Sequence, residues 1–317
     1  MRALITGVTG QDGWYLSELL AAQGHEVFGL VSGQDTAQVP PKVRPLTGDM
    51  GDAASLSAAL DAGRPDELYN LASISSVAQS WSDPALVADV NGVGVLRLLD
   101  ELRRRHWEHV RFVQAGSAEV FGDAPAPQSE ATPLRPVTPY GAAKALAQHA
   151  VLAYRTAGLW AASVILYNHE SPRRPDTFVT RKITKAVAEI AAGRREPLVL
   201  GTLDVRRDWG YAGDYAEAMT LVARHERPDD FVVSSGVSHT IAEFVAAAFA
   251  RVGIDDWRPW VRVDGDLQRP TDAAEQRGDS RHIRETLGWR PRVDFAQLVS
   301  TMVDADVARL RTTESVE

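Results

Sequence analysis

The 317-residue chain has no cysteine, which excludes disulfide bridges, thiolate catalysis and sulfur-built zinc sites. It also lacks an excess of positive charge. Its 34 lysines and arginines stand against 42 aspartates and glutamates, a formal charge of −8, so broad binding to nucleic acid or to an anionic membrane is not expected. No apolar run approaches the roughly 18 residues of a membrane span, and the run before Thr6 is only Ala3 to Ile5. Repeats and low-complexity tracts are missing as well. The expectation is a cytoplasmic, enzyme-sized protein whose partners include neither membrane nor nucleic acid.

What is present is an alternation. "ALIT" (Ala3 to Thr6) reads as a strand stopped by glycines, and "WYLSELLAAQG" places Leu16, Leu19 and Leu20 on one helical face. "EVFGLV" reads as a strand, "DAASLSAALDA" as a helix and "DELYNLA" as a strand. One long helix is expected from about Pro84 to Arg105, then the strand "VRFVQAG", a helix from Tyr140 to about Thr156 and the strand "WAASVILYN". Strands alternating with helices, without hairpin signals, predict an α/β fold with a doubly wound parallel sheet. After Asn168 the rhythm breaks, and a smaller second lobe is expected there.

Gly7, Gly10 and Gly13 form G-x-x-G-x-x-G between the first strand and the first helix. At that place missing Cβ atoms let the backbone approach a pyrophosphate, and the helix N-terminus points its N–H groups at it. Asp49 in "GDMGD" suits an adenine contact or, equally, a helix cap. Ser32 and Gly33 end the second strand, with Asp35 just beyond, so neither the acid that selects NAD nor the arginine that selects NADP is in place.

Tyr140 and Lys144 in "YGAAK" are four apart on one helical face, where an ammonium is expected to lower the phenol's pKa for proton transfer. "QAGSAEVFG" offers Ser117 as a hydroxyl and Glu119 as a carboxylate. Hydroxyl, phenol and lysine suit alcohol–ketone chemistry on a nicotinamide. Tyr140 and Lys144 alone would serve an epimerase or a ketoreductase. A carboxylate beside them adds a base for an adjacent C–H.

With these residues the chain resembles the extended short-chain dehydrogenase/reductases. "TGVTGQDGWYL", "YNLASISSVAQSW", "NHESPRRPDTFVTRKIT", "LDVRRDWGYAGDYAEAM" and "LGWRP" are similar to the GDP-mannose 4,6-dehydratase family. The resemblance implies a Rossmann domain over 1–167, to which later segments return, and a mainly substrate-binding lobe over 168–317. It implies Ser117, Glu119, Tyr140 and Lys144 as catalytic residues. It assigns a tightly bound, recycled NAD(P) to Gly7, Thr9, Gly10, Gln11, Asp12, Gly13, Ser32, Asp49, Met50, Leu71, Tyr140 and Lys144. A GDP-hexose would be held by Ser75, Asn168, Val179, Arg181, Lys182, Arg207 and Arg269, the cations of "TRK", "RRDWG" and "LQRP" gripping its diphosphate. Arg173 and Arg174 fit a solvated turn or a subunit contact instead. His169 and Glu170 lack the spacing of metal ligands, and no metal is expected.

The chain departs from that family in three places. The arginine-bearing segment after the second strand, which implies NADP and a tetramer, is replaced by "SGQDTAQVPPKV", which points to NAD and a homodimer. Ala118 stands where the family has serine, and Ile74 where it commonly has glutamine, changes expected to remove polar groups near the sugar, such as a C6 proton donor, or to admit a related NDP-sugar, a heptose included, for an epimerase or 4-ketoreductase.

Overall fold

A computed structural model describes residues 1–33, 38–267 and 273–314. The first half contains β1 (Arg2–Thr6), α1 (Gln11–Ala22), β2 (Glu26–Val31), β3 (Val43–Thr47), α2 (Ala53–Gly63), β4 (Glu67–Asn70), α3 (Val77–Ser82), α4 (Pro84–Ala88), α5 (Gly94–Arg104), β5 (Arg111–Ala115), α6 (Pro139–Thr156) and β6 (Ala161–Leu166). The second contains β7 (Asn168–Glu170), α7 (Val179–Ala191), β8 (Leu198–Leu200), β9 (Arg206–Tyr211), α8 (Ala212–Arg224), β10 (Asp230–Val233), β11 (Ser238–Thr240), α9 (Ile241–Arg251), β12 (Val261–Val263), β13 (Glu275–Gln276), α10 (Arg281–Leu287) and α11 (Phe295–Glu314).

Seven parallel strands form the main sheet in the order β3-β2-β1-β4-β5-β6-β10. Both faces are covered, which is why its strands read as nearly continuous apolar runs. Leu16 and Leu20 of α1 and Tyr215, Met219 and Val222 of α8 pack on one face. Leu56, Leu60, Leu98, Leu102 and Val151 pack on the other. The strand order reverses between β1 and β4, which opens a crevice at their carboxyl ends, the usual ligand position in such sheets. The chain therefore forms a Rossmann-type doubly wound sheet, to which α8, β10 and α10 return from the second half.

β3 was not anticipated. Its "VRPLT" is mostly exposed and contains Pro45, which an edge strand tolerates because it needs no donor on its outer side. The long helix expected from Pro84 to Arg105 is instead α4 and α5 joined by a π-helical turn, Asp89–Val93. The extra residue of that turn lets Gly92 approach Leu146 and the Ala143 carbonyl, and turns Asn91 inward. Asn91 then holds the Ile74 backbone through both amide atoms, at 2.9 and 3.0 Å.

A second, smaller sheet runs β11-β9-β13, with β7 also paired to β9, and β8 pairs with β12. Ile183 and Val187 of α7, Phe244 and Phe249 of α9, and Leu298 and Met302 of α11 form its core. Among the described residues, no helix is long and apolar enough to cross a membrane.

Candidate active site

β5 ends at Ala115, and Gly116 crosses close under β6: a Cβ there would lie 2.9 Å from the Val164 carbonyl oxygen. Ser117 then starts a single 3-10 turn, Ala118–Phe121, and its hydroxyl accepts the Glu119 N–H at 3.3 Å. α6 begins at Pro139, capped by Thr138, whose hydroxyl accepts from Gly141 N at 3.0 Å. A Cβ on Gly141 would sit 2.5 Å from the Glu119 carbonyl oxygen, so only glycine lets the helix start lie against the Glu119 turn. That contact sets Tyr140 beside Ser117 and Glu119. The four expected catalytic residues line one cleft of about 450 Å³.

Lys144 is buried and donates from Nζ to the Ala115 carbonyl at 3.0 Å. Burial lowers its ammonium to about 8, against the opposing attraction of Asp12. Nζ lies 5.8 Å from the Tyr140 ring centre. Tyr140 does not follow the expectation of a lowered phenol. Burial pushes it up to about 12, with the Ser117 hydroxyl working against the shift and the Glu119 carboxylate adding to it. Desolvation thus outweighs the lowering by the Ser117 and Ser73 hydroxyls and by Arg174.

The same cleft includes Gly7, Thr9, Gly10, Gln11, Asp12 and Gly13 at one end, with Leu71 nearby. Gly7 has φ +68°, and a Cβ on Gly13 would meet the Gly7 carbonyl at 2.5 Å, so the turn packs closely on the start of α1. No side chain caps α1 at Gly10, which leaves its first N–H groups for an anion. Ser32, Asp49 and Met50 line an adjoining cavity of about 280 Å³ that shares Gly7 and Thr9 with the cleft. This cradle fits a dinucleotide, with diphosphate at the turn and adenosine in the side cavity. Asp49 is not a helix cap: Asp52 caps α2 at Ala54 N, whereas Asp49 accepts from Gly51 N at 2.7 Å.

Asp12 and Gln11 also tie the turn to the second lobe. His169 Nε2 lies 2.9 Å from Asp12 Oδ2, Gln11 donates to the His169 carbonyl at 3.0 Å, and Ser171 donates to Gln11 at 2.7 Å. Burial opposes charge on both members of the Asp12–His169 pair, but their mutual attraction wins: the carboxyl is held low and the imidazole high. Glu170 is equally engaged, with Thr180 at 2.5 Å and Arg174 at 3.2 Å.

Of the expected substrate-binding residues, Ser75, Asn168, Val179 and Arg207 line the cleft. Arg207 donates to the Arg206 and Ala273 carbonyls, each at 2.8 Å. Arg181 does not reach the cleft. Its Nε meets both oxygens of Asp306 at 3.0 and 2.9 Å, its Nη2 donates to the same carboxylate at 2.6 Å, and its Nη1 donates to the Pro172 and Arg174 carbonyls. Five bonds consume the guanidinium in joining α7 to α11. Lys182, one position on, is exposed and lines neither cavity, because successive helical positions face different directions. Arg269 and Asp35 lie outside the described residues.

Arg174, read above as a turn residue, lines the cleft and stacks over Phe178 at 3.7 Å. Its spacing of four from Glu170 was the available signal. Ala118 packs with Val120, Phe121 and Tyr167 and does not line the cleft, so its methyl takes no polar group from the sugar's side. Ile74 packs against Tyr140 and Ala143.

Residues 4–302 match the family profile of GDP-mannose 4,6 dehydratase. GDP-mannose 4,6 dehydratase 1 of Arabidopsis thaliana is 45% identical over 96% of this chain and 89% of its own length. The human GDP-mannose 4,6 dehydratase is 40% identical over 98% and 92%. In structure, DesIV, a dTDP-glucose 4,6-dehydratase from Streptomyces venezuelae solved with NAD, superposes with a TM-score of 0.87 at 25% identity, covering 100% of both chains. With its match across nearly the whole sequence, and with the glycine turn, Ser117, Glu119, Tyr140 and Lys144 gathered on one cleft, the chain belongs to the GDP-mannose 4,6-dehydratase family.

Proposed function

We infer that the protein converts GDP-mannose to GDP-4-keto-6-deoxymannose as an NAD(P)-dependent hydro-lyase, with Glu119 as the base at C5. The observation that carries the residue assignment is the carboxylate of Glu119 on the same cleft wall as Ser117, Tyr140 and Lys144. A 4-epimerase or ketoreductase needs no base at C5. When bound, NAD(P) supplies a reversible hydride store, taking hydride from C4 and returning it to C6, so the sugar undergoes no net oxidation.

Tyr140 accepts the C4 hydroxyl proton, and Ser117 orients that hydroxyl. The positive charge of an oxidised nicotinamide and of Lys144 favours the phenolate that burial alone disfavours. The resulting 4-ketone acidifies C5–H. Glu119 takes that proton and passes it to the departing C6 hydroxyl, which leaves as water. The C4 hydroxyl proton balances the one restored at C5. Asn168, Val179 and Arg207 hold the nucleotide part of the substrate, Arg207 at its diphosphate, with Ser75 towards the sugar and Arg269 as a further candidate. Residues 168–317 serve mainly this substrate role and 1–167 the cofactor role.

The working unit in this reading is a homodimer in the cytoplasm, where sugar nucleotides and nicotinamide cofactors are found together. Trp81, Leu86, Leu146 and Leu152, each at least 40% exposed on α3, α4 and α6, support a face for a second copy. NAD is favoured over NADP because Ser32 carries no charge for a 2′-phosphate.

Mass spectrometry of the product with GDP-mannose and either cofactor tests the reaction, the parent losing one water. Glu119→Gln should slow that loss by about a hundredfold or more while reduced nicotinamide still forms at the site. Unchanged water loss in this variant would remove Glu119 from the role.

A further inference from the structure

We propose that Gln276 is a positioning residue for the dehydration step: its amide, presented by β13, fixes one carboxylate oxygen of Glu119 and leaves the other for the sugar. The inference rests on the reading of Glu119 as the C5 base.

Gln276 Nε2 donates to Glu119 Oε1 at 3.3 Å, across 157 positions of sequence. An ionised carboxylate only accepts, and it has two oxygens to place. Glu119 sits on a single 3-10 turn whose neighbours, Ala118 and Val120, are buried, so its backbone is held while its side chain projects into the cleft. The side chain has three rotatable bonds. A donor from the opposite lobe removes much of that freedom and sets which oxygen faces the substrate.

The donor itself is fixed. Gln276 is 5% exposed and pairs in register with Arg207 of β9. Its segment is fastened on both sides: Arg207 donates to the Ala273 carbonyl at 2.8 Å, Arg206 N to Ala274 at 2.9 Å, Gln128 N to Arg277 at 2.9 Å, and Gly278 N to Asp208 at 3.2 Å. Strand alternation does the rest. Glu275 and Arg277 pair with each other at 3.2 Å, which leaves Gln276 as the residue of this segment turned to Glu119.

An amide also suits the chemistry better than a cation here. An arginine would grip both oxygens bidentately and hold the carboxylate ionised, weakening it as a base. A neutral N–H orients one oxygen and leaves the second to meet C5–H. Arg207, a proposed diphosphate ligand, lies on the paired strand, so substrate binding and base placement share one rigid element.

The test uses the full-length enzyme with bound cofactor and GDP-mannose, comparing Gln276→Met, Gln276→His and Glu119→Gln. Reduced nicotinamide formation in a single turnover reports C4 oxidation. Deuterium uptake at C5 from heavy water, together with water loss, reports the base step. Gln276→Met should leave C4 oxidation within about twofold of the parent and slow deuterium uptake and water loss by roughly tenfold, as for loss of one hydrogen bond to a charged group. Gln276→His, which restores an N–H donor, should recover part of that loss. Unchanged C5 exchange in Gln276→Met, with exchange abolished in Glu119→Gln, would overturn the role of Gln276 alone. An equal loss of C4 oxidation and C5 exchange would make Gln276 merely structural and also overturn it. Normal exchange in Glu119→Gln would refute the base assignment and the proposal with it.

Discussion

Replacing Arg181 by methionine decides between two roles for the same side chain. In the structure its guanidinium, 13% exposed, is bound to Asp306, 4% exposed, and to two backbone carbonyls of the segment that leads into α7. Arg181→Met leaves that carboxylate buried with, among the described residues, Thr184, at 2.8 Å, and Arg309, at 2.9 Å. Removing one partner of a buried pair costs about 3–5 kcal/mol, and the two remaining donors put this case near 3 kcal/mol. Urea unfolding monitored by tryptophan fluorescence should show a lower midpoint with an unchanged slope. The KM for GDP-mannose should stay within about twofold of the parent, since the side chain does not line the cleft. A double variant, Arg181→Met with Asp306→Leu, should recover at least half of the lost stability. Its orphaned partners are provided for: Thr184 also donates to the Arg181 carbonyl at 3.3 Å, and Arg309 is 48% exposed and can turn to water. A parent-like midpoint combined with a tenfold rise in KM would refute this account and restore Arg181 as a diphosphate ligand.

Lys144, lowered to about 8 by burial from an ordinary 10.5, carries a stability signature with a definite sign. Between those values the unfolded chain binds the extra proton, so stability should rise with pH across about 8 to 10.5, and Lys144→Met, measured by denaturant titration in the same buffers, should lack that rise. The homodimer reading expects a sedimentation mass of two chains and a shift to one chain on Leu146→Glu; a monomeric parent at micromolar concentration would end it.

Most of the architecture was legible because it is written in local patterns. A short apolar run and then apolar positions three to four apart mark β1 and α1, and glycines between them need no partner elsewhere to be recognised. Tyr140 and Lys144 could be paired because four residues span one helical turn. β3 was missed because an edge strand buries too little to impose an apolar pattern, and its proline reads as a break. The helix around Gly92 was read as unbroken because the close approach of α6 to Gly92 at its π turn is a long-range contact that helical periodicity does not report.

The sequence by itself determined the parallel sheet and the glycine turn and supplied the candidate catalytic groups, since these follow from residue type, local spacing and recognisable motifs. Tertiary structure alone decided what those groups experience. Burial, an outcome of the whole fold, raised the Tyr140 phenol above its ordinary value. A carboxylate 125 positions away drew Arg181 out of the substrate site. An amide 157 positions away came to hold Glu119. Desolvation and long-range hydrogen bonds depend on which surfaces meet, and no local pattern encodes that meeting.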